Sequence, residues 1–374
     1  MNTFNPDSGR PSSTRSQQHV KLFIPGPTEV RPEILDAQTQ WMVGHRMPEC
    51  LELFGQIKPK LSQVFFTEQT VLISASSGTG LWEAAVRNCV NKKVLTCVNG
   101  AFAERFSDVA EMNGKAIEVL SAPWGQPILP EAVVERLATG EFDAVSIVHN
   151  ETSTGVTSPI RDIAQAIRAL PNGQDIMILV DSVSGLAGAR IEMDAWDLDM
   201  VLASSQKAFA LPPGLAFCAV SDRAMAKAKT VPNRGYYFDF ISLAKSMAKN
   251  QTPATPAVSL LYALDKQLDD MLAEGMEQRF TRHIAMRDRT LEWARGQGFD
   301  IFAAPGYESP TVTCISNNRE IDISAFNKFL RTKGMVISNG YGDLKGKTFR
   351  IAHMGDTQMD ELEVLYAAMD EFLA

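Results

Sequence analysis

The sequence predicts an α/β protein: a mostly parallel seven-stranded sheet flanked by helices, followed by a smaller C-terminal α+β unit. Three observations carry this reading. From Thr70 onward, short apolar runs alternate with amphipathic stretches of helical length. The runs lack strict in–out alternation, as strands covered on both faces do. The polar residues of chemical interest fall just after those runs, where ligands sit in open parallel sheets.

At 374 residues the chain is long enough for one large domain and a smaller one. Residues 1–20 are polar, lack the apolar core of a signal peptide and read as a flexible tail. Pro25-Gly26-Pro27 makes a rigid turn, and Thr28 is placed to cap the helix that follows. Pro48–Phe66 has helical character. Strands are expected at Val71–Ser74, Val94–Val98, Ala116–Leu120, Ala144–Val148, Ile176–Val180, Met200–Ala203 and Ala216–Val220. Helices such as Leu81–Cys89, Ala101–Met112 and Pro130–Leu137 lie between them. Beyond Ser221 the pattern is helical over Asp222–Lys229, Phe240–Lys249 and a long run from Pro256 to Gly296. Its stripe Leu260, Leu261, Leu264 and Leu268 reads as core. The last unit has strands near Thr311–Ile315, Val336–Ser338 and Thr348–Ala352, with helices Ser324–Thr332 and Thr357–Phe372. The expected division is a 1–20 tail, a 21–275 large domain and a 276–374 small domain.

Composition removes several function classes. A net charge of -8 with no strongly basic run argues against nucleic-acid binding. No window approaches the ~18 apolar residues of a membrane span. The five cysteines are widely spread with no CxxC pair, so neither a disulfide framework nor a cysteine zinc site is expected, and a reducing cytoplasm fits. The five histidines have no zinc-like spacing, so no metal site is expected.

The stretch from Ala203 to Gly214, ASSQKAFALPPG, is the centre of the argument. A buried-strand pattern stops at Ser204-Ser205-Gln206, Lys207 follows, and Pro212-Pro213-Gly214 forbids a helix or a central strand. A lysine at a strand end among apolar residues is either an ordinary loop lysine or a desolvated nucleophile for Schiff-base chemistry. Ser76-Ser77-Gly78-Thr79-Gly80 opens a helix, offering free N–H groups and hydroxyls to a phosphate or simply forming a capped turn. The lysine and spacing of a P-loop are absent. Asp181 ends a buried strand, suited to a heteroaromatic ring nitrogen, a metal or a turn cap. Arg350 lies inside a strand-like run, where it either clamps a substrate carboxylate or joins an internal salt bridge. His45-Arg46 is either plain surface or reaches a substrate or partner subunit.

Together these residues resemble the class V aminotransferases, fold-type I pyridoxal-phosphate enzymes, and within them the alanine–glyoxylate and serine–pyruvate group. The resemblance runs from about Lys21 to the end. Its carriers are Pro25-Gly26-Pro27-Thr28, Ser77-Gly78-Thr79, Asn99-Gly100, Glu151-Thr152-Ser153-Thr154-Gly155, Val180-Asp181-Ser182-Val183, Ser205-Gln206-Lys207 with Pro212-Pro213-Gly214, and Phe349-Arg350-Ile351. The resemblance implies that Lys207 carries the cofactor and shuttles the α-proton, and that Asp181 pairs with the pyridine N–H. It implies that Val183 and Phe102 face the two sides of the ring, and that Thr152 reaches the ring hydroxyl. Ser77, Gly78, Thr79 and Gln206 would hold the phosphate, with Thr255 reaching it from the other subunit of a homodimer that shares its active sites. Arg350, with backbone near Gly26, would take the substrate carboxylate. Thr79 and Thr252 stand where some relatives carry histidine and tyrosine.

The implied reaction moves an amino group from a small amino acid, serine or alanine, to a 2-oxo acid, glyoxylate or pyruvate. Alternatives are another donor (2-aminoethylphosphonate, phosphoserine or ureidoglycine) or a pyridoxal-phosphate lyase or desulfurase. Cys314, the cysteine a desulfurase reading would examine, lies in a strand-like core run.

Overall fold

The computed structural model describes residues 19–374, so all but the last two residues of the expected tail lie outside the described residues. A short strand β1 (Lys21–Phe23), helix α1 (Pro32–Ala37) and helix α2 (Pro48–Phe65) open the described chain. Both helices start on a proline, whose fixed φ and missing N–H suit a first turn. The expected Thr28 cap is not formed. Arg31 stands at the N-cap of α1, because the chain leaves the Pro27 turn extended until Pro32 starts the helix. The Thr28 hydroxyl instead donates to the Lys207 carbonyl at 3.0 Å, and its N–H donates to the Gln206 carbonyl at 3.1 Å.

The large layer follows as β2 (Thr70–Ser74), α3 (Gly78–Cys89), β3 (Lys93–Val98), α4 (Ala101–Met112), β4 (Ala116–Ser121), α5 (Pro130–Leu137) and β5 (Ala144–Val148). A small hairpin, β6 (Asn150–Glu151) with β7 (Val156–Thr157), leads into α6 (Ile160–Arg168), then β8 (Met177–Asp181), β9 (Met200–Ser204) and β10 (Ala216–Val220). The seven strands of the sheet run in the order β2-β10-β9-β8-β5-β3-β4. Every residue of β5, β8, β9 and β10 is buried, which is why these runs read as unbroken apolar sequence. β10 alone is antiparallel to its neighbours, β2 and β9. The connection from β9 through Pro212-Pro213-Gly214 is too short for the crossover a parallel return needs. In register, Val148 pairs with Asp181 and Asp181 with Leu202, so the ends of β5, β8 and β9 form one edge.

Helices α7 (Asp222–Ala228) and α8 (Phe240–Met247) are capped by the side chains of Ser221 and Asp239. The long apolar run is two helices, α9 (Val258–Glu274) and α10 (Met276–Gly296), broken at Gly275, whose φ of +84° favours glycine. The chain closes with β11 (Val312–Ser316), α11 (Ile323–Thr332), β12 (Met335–Asn339), β13 (Thr348–Ala352) and α12 (Met359–Leu373).

Two apolar cores result. One spans the seven-stranded sheet and its helices, and the second gathers Phe23 with residues of α10, α11, α12 and the small sheet. Helix α10 feeds both: Phe280 joins the first core, Met286 and Trp293 the second. The structure differs from the sequence expectation at β1 as well. β1 belongs to the small sheet, order β1-β12-β13-β11, rather than to the large unit. Its parallel pairing with β12, Leu22 opposite Val336, joins residues far apart in sequence that no local pattern connects.

Candidate active site

The strand ends converge on a cavity of about 320 Å³. Gly26, Ser77, Gly78, Thr79, Phe102, Thr152, Asp181, Val183, Gln206 and Lys207 all line it, each named above from the sequence. Lys207 lies just past β9. Its amine donates to the Pro25 carbonyl and sits 5.8 Å from the Phe102 ring centre. Gly26 makes that approach possible: a Cβ there would come within 2.7 Å of the Lys207 side chain. Burial first, and then the Arg350 charge, pull the Lys207 amine down from 10.5 to about 8.

Asp181 ends β8 and is 3% exposed. Its carboxylate accepts from the Trp82 indole N–H at 2.9 Å and from the Val183 N–H at 2.6 Å. Burial nevertheless pushes it up from 3.8 to about 7. A positive N–H placed against it would restore the ionised form.

Helix α3 points its N-terminus into the cavity. Ser77 occupies the N-cap without capping it through its side chain, so the first N–H groups stay open to an anion. Gly78 is required there, because a Cβ would meet the Val183 side chain at 2.5 Å. Nearby, Ser204 Oγ and Gln206 Oε1 are buried without a hydrogen-bond partner. Buried orphans of this kind beside a helix N-terminus suit a bound polar group.

Glu151 is fully buried and spends its carboxylate on the N–H groups of Phe102, Ala103 and Ser153 and on the Ser153 hydroxyl. It thereby fixes the start of α4, and with it Phe102. Thr152 donates its hydroxyl to Ser184 Oγ at 2.8 Å.

Arg350 is buried on β13. Among the described residues it pairs with no carboxylate; its guanidinium donates to the backbone carbonyls of Thr152 (3.1 Å) and Asn339 (3.2 and 3.3 Å). Burial lowers its pKa. The internal salt bridge considered for it from sequence is therefore not formed. Thr255 is not brought to this cavity in the single chain; it lines a separate groove with Tyr236 and Tyr237. His45 and Arg46 also lie apart, with Arg46 donating to Gln251 and to the Pro253 carbonyl. Sequence reasoning missed Trp82, Arg105 and Tyr341. Trp82 lies one helical turn after Gly78, and Arg105 one turn after Phe102, so helical spacing offered a signal for both. Tyr341 offered none, since only the fold of the small sheet brings it here.

A half-buried lysine and a buried carboxylate at the ends of a mostly parallel sheet face an open helix N-terminus, in a fold that matches the pyridoxal-phosphate-dependent aminotransferases. The chain belongs to the class-V aminotransferase family, which it matches over residues 27–344. It is 38% identical to an uncharacterised aminotransferase of Methanocaldococcus jannaschii over 89% of this chain and 87% of that one. A serine–glyoxylate aminotransferase of Methylorubrum extorquens is 32% identical, covering 95% of this chain and 91% of its own length. Among solved structures, an alanine–glyoxylate aminotransferase of Nostoc sp. superposes with a TM-score of 0.90, at 28% identity and full coverage of both chains.

Proposed function

We propose that this protein is a pyridoxal-phosphate aminotransferase that moves the amino group of serine or alanine to glyoxylate or pyruvate, acting as a homodimer in the cytoplasm. The observation that carries the reading is the Lys207 amine, brought down to about 8 in a cavity that also holds Asp181 and the α3 N-terminus. The residues fit the cofactor. Open N–H groups of Gly78 and Thr79, the Ser77 and Thr79 hydroxyls and the orphaned polar atoms of Ser204 and Gln206 suit its phosphate. Asp181 suits its ring nitrogen, Thr152 its ring hydroxyl, and Val183 and Phe102 the two ring faces. When bound, the cofactor supplies an electron sink for the substrate's α-carbon.

The remaining chemistry belongs to the chain. Lys207 Nζ, close to half-neutral near pH 8, would be the amine that holds the cofactor's aldehyde carbon and the base that takes and returns the α-proton. Asp181, held in place by Trp82 and Val183, keeps a proton on the ring nitrogen. The Arg350 fork receives the α-carboxylate. Phe102 and Tyr341, stacked at 5.0 Å between ring centres, help exclude water. Cys314 gives no support to a desulfurase: it is buried in β11, and burial pushes its thiol up to about 11.

For the dimer, support comes from the exposed apolar residues Trp41, Met42 and Tyr236 and from Thr255, which sits outside the protomer's own cavity. Five free, buried cysteines support a reducing compartment, and no helix among the described residues is long and apolar enough to cross a membrane. The test is a panel of amino donors with glyoxylate or pyruvate as acceptor. Serine or alanine should convert with ping-pong kinetics; absence of exchange with every donor would overturn the reading.

A further inference from the structure

One guanidinium lines the cavity that holds Lys207, and it is not that of Arg350. Arg105 lies on α4 one turn after Phe102 and lines the same cavity at its more exposed end. Its Nη2 donates to the Tyr341 hydroxyl at 2.5 Å, and its guanidinium carbon lies 5.5 Å from the Phe102 ring centre. Among the described residues it pairs with no carboxylate. Tyr341 is shared: the guanidinium carbons of Arg105 and Arg350 lie 5.8 and 5.6 Å from the same Tyr341 ring centre. The two arginines therefore flank one aromatic ring, neither with an acidic partner. The carboxylate that lines the cavity, Asp181, is already committed to Trp82 and Val183, and the neighbouring buried Glu151 to the start of α4.

If Arg350 takes the α-carboxylate, as proposed above, the excess positive charge at the outer end faces the far end of the substrate. A methyl or hydroxymethyl side chain leaves Arg105 with only a neutral phenol as partner. A side chain ending in an anion would meet a planar fork held in place by stacking on Phe102 and by Tyr341. From this arrangement, resting on the transaminase reading, we infer that Arg105 is a specificity-determining residue that recognises substrates bearing a second, distal anionic group, a carboxylate or a phosphate. The substrate contact considered for His45-Arg46 from sequence is thus better matched by Arg105, since Arg46 does not line this cavity.

The experiment compares holoenzyme and its Arg105→Met and Arg105→Lys variants with aspartate, O-phosphoserine and alanine as donors and glyoxylate as acceptor. Aspartate and O-phosphoserine separate the two anion types. The inference expects at least one of them to be used, and the ratio of its kcat/KM to that of alanine to fall about ten- to hundredfold in Arg105→Met, mainly through KM. Arg105→Lys, which keeps the charge, should recover part of that ratio. A residue that merely latches α4 to Tyr341 would lower all donors together, leaving the ratio unmoved, and that result overturns the inference. So does a wild-type enzyme that turns over alanine or serine and neither anionic donor. No exchange with any donor would remove the transaminase reading itself, and this inference with it.

Discussion

Two clefts of similar size use arginine in opposite ways. One is the Lys207 cavity; the other, about 420 Å³, is lined by Arg31, Arg279 and Arg282 with Asp270, Glu274 and Asp356. In the second, every one of those guanidiniums meets a carboxylate. Arg31 pairs with Asp270 at 2.7 Å and Asp356 at 2.6 Å, Arg279 with Glu274 at 2.7 Å and Asp356 at 3.0 Å, and Arg282 with Glu274 at 2.6 Å. Burial there pushes Asp356 and Glu274 upward, but the neighbouring arginines outweigh it and hold both below their ordinary values. In and beside the Lys207 cavity the directions reverse. Asp181 rises, while Lys207 and Arg350 fall. Charges that satisfy one another tie elements together; charges left short of a partner wait for one that arrives from solution. The paired cleft also backs the cavity, since Arg279 donates to the Ala208 carbonyl, next to Lys207, and Arg282 to the Gly355 carbonyl.

The contrast can be broken by removing one group from each side. Lys207→Ala should reduce transamination by at least about a thousandfold with no loss in the unfolding midpoint of the cofactor-free protein, measured by steady-state rate and thermal melt. Arg279→Met should do the reverse in emphasis. It takes one of two arginine partners from each of Asp356 and Glu274 and leaves the Ala187 and Ala208 carbonyls without their donor, and urea unfolding should report a loss of roughly 2–3 kcal/mol. Arg350→Lys should raise KM for the amino donor about ten- to hundredfold while shifting the urea result by roughly 1 kcal/mol or less. A large stability loss at Arg350, or none at Arg279, would dissolve the distinction between the clefts.

A further contrast is in pH. In cofactor-free protein, Asp181 has a folded pKa of about 7 against an ordinary 3.8, so the folded state keeps a proton that the unfolded chain sheds. Its contribution to stability therefore falls as pH rises from about 4 to 7. Lys207 is lowered from 10.5 to about 8, so its burial cost is present below pH 8 and fades toward pH 10.5. Unfolding curves across pH should show these two groups costing most between pH 7 and 8. Asp181→Asn should flatten the acid limb and Lys207→Met the alkaline one. The paired cleft behaves oppositely: Asp356 and Glu274 contribute stability above their unfolded pKa values and lose it as pH falls through their lowered folded ones.

Much of this site was legible because sequence marks strand ends. Met200–Ala203 and Ile176–Val180 are apolar runs whose buried character is local, so the polar residues ending them, Lys207 and Asp181, could be assigned to one edge. The Ser77-Gly78-Thr79 turn was legible for the same reason. What escaped depends on distant pairings. The antiparallel turn of β10 follows from a short connection whose geometry a mostly parallel reading leaves open. β1 pairs with β12 across more than three hundred residues. Tyr341 reaches the cavity through the small sheet, and Arg105 reads as one more polar residue on an amphipathic helix until Tyr341 is set beside it. Thr28 shows the limit of local capping rules, since its hydroxyl goes to the Lys207 backbone and not to α1.

The central claim is that one lysine is the covalent anchor of this cavity. The direct measurement is to incubate the purified protein with pyridoxal phosphate, reduce it with borohydride, digest it and locate the added mass. A single modified peptide containing Lys207, absent from Lys207→Ala, is the result the account predicts. Modification spread over surface lysines, or none at Lys207, would contradict it.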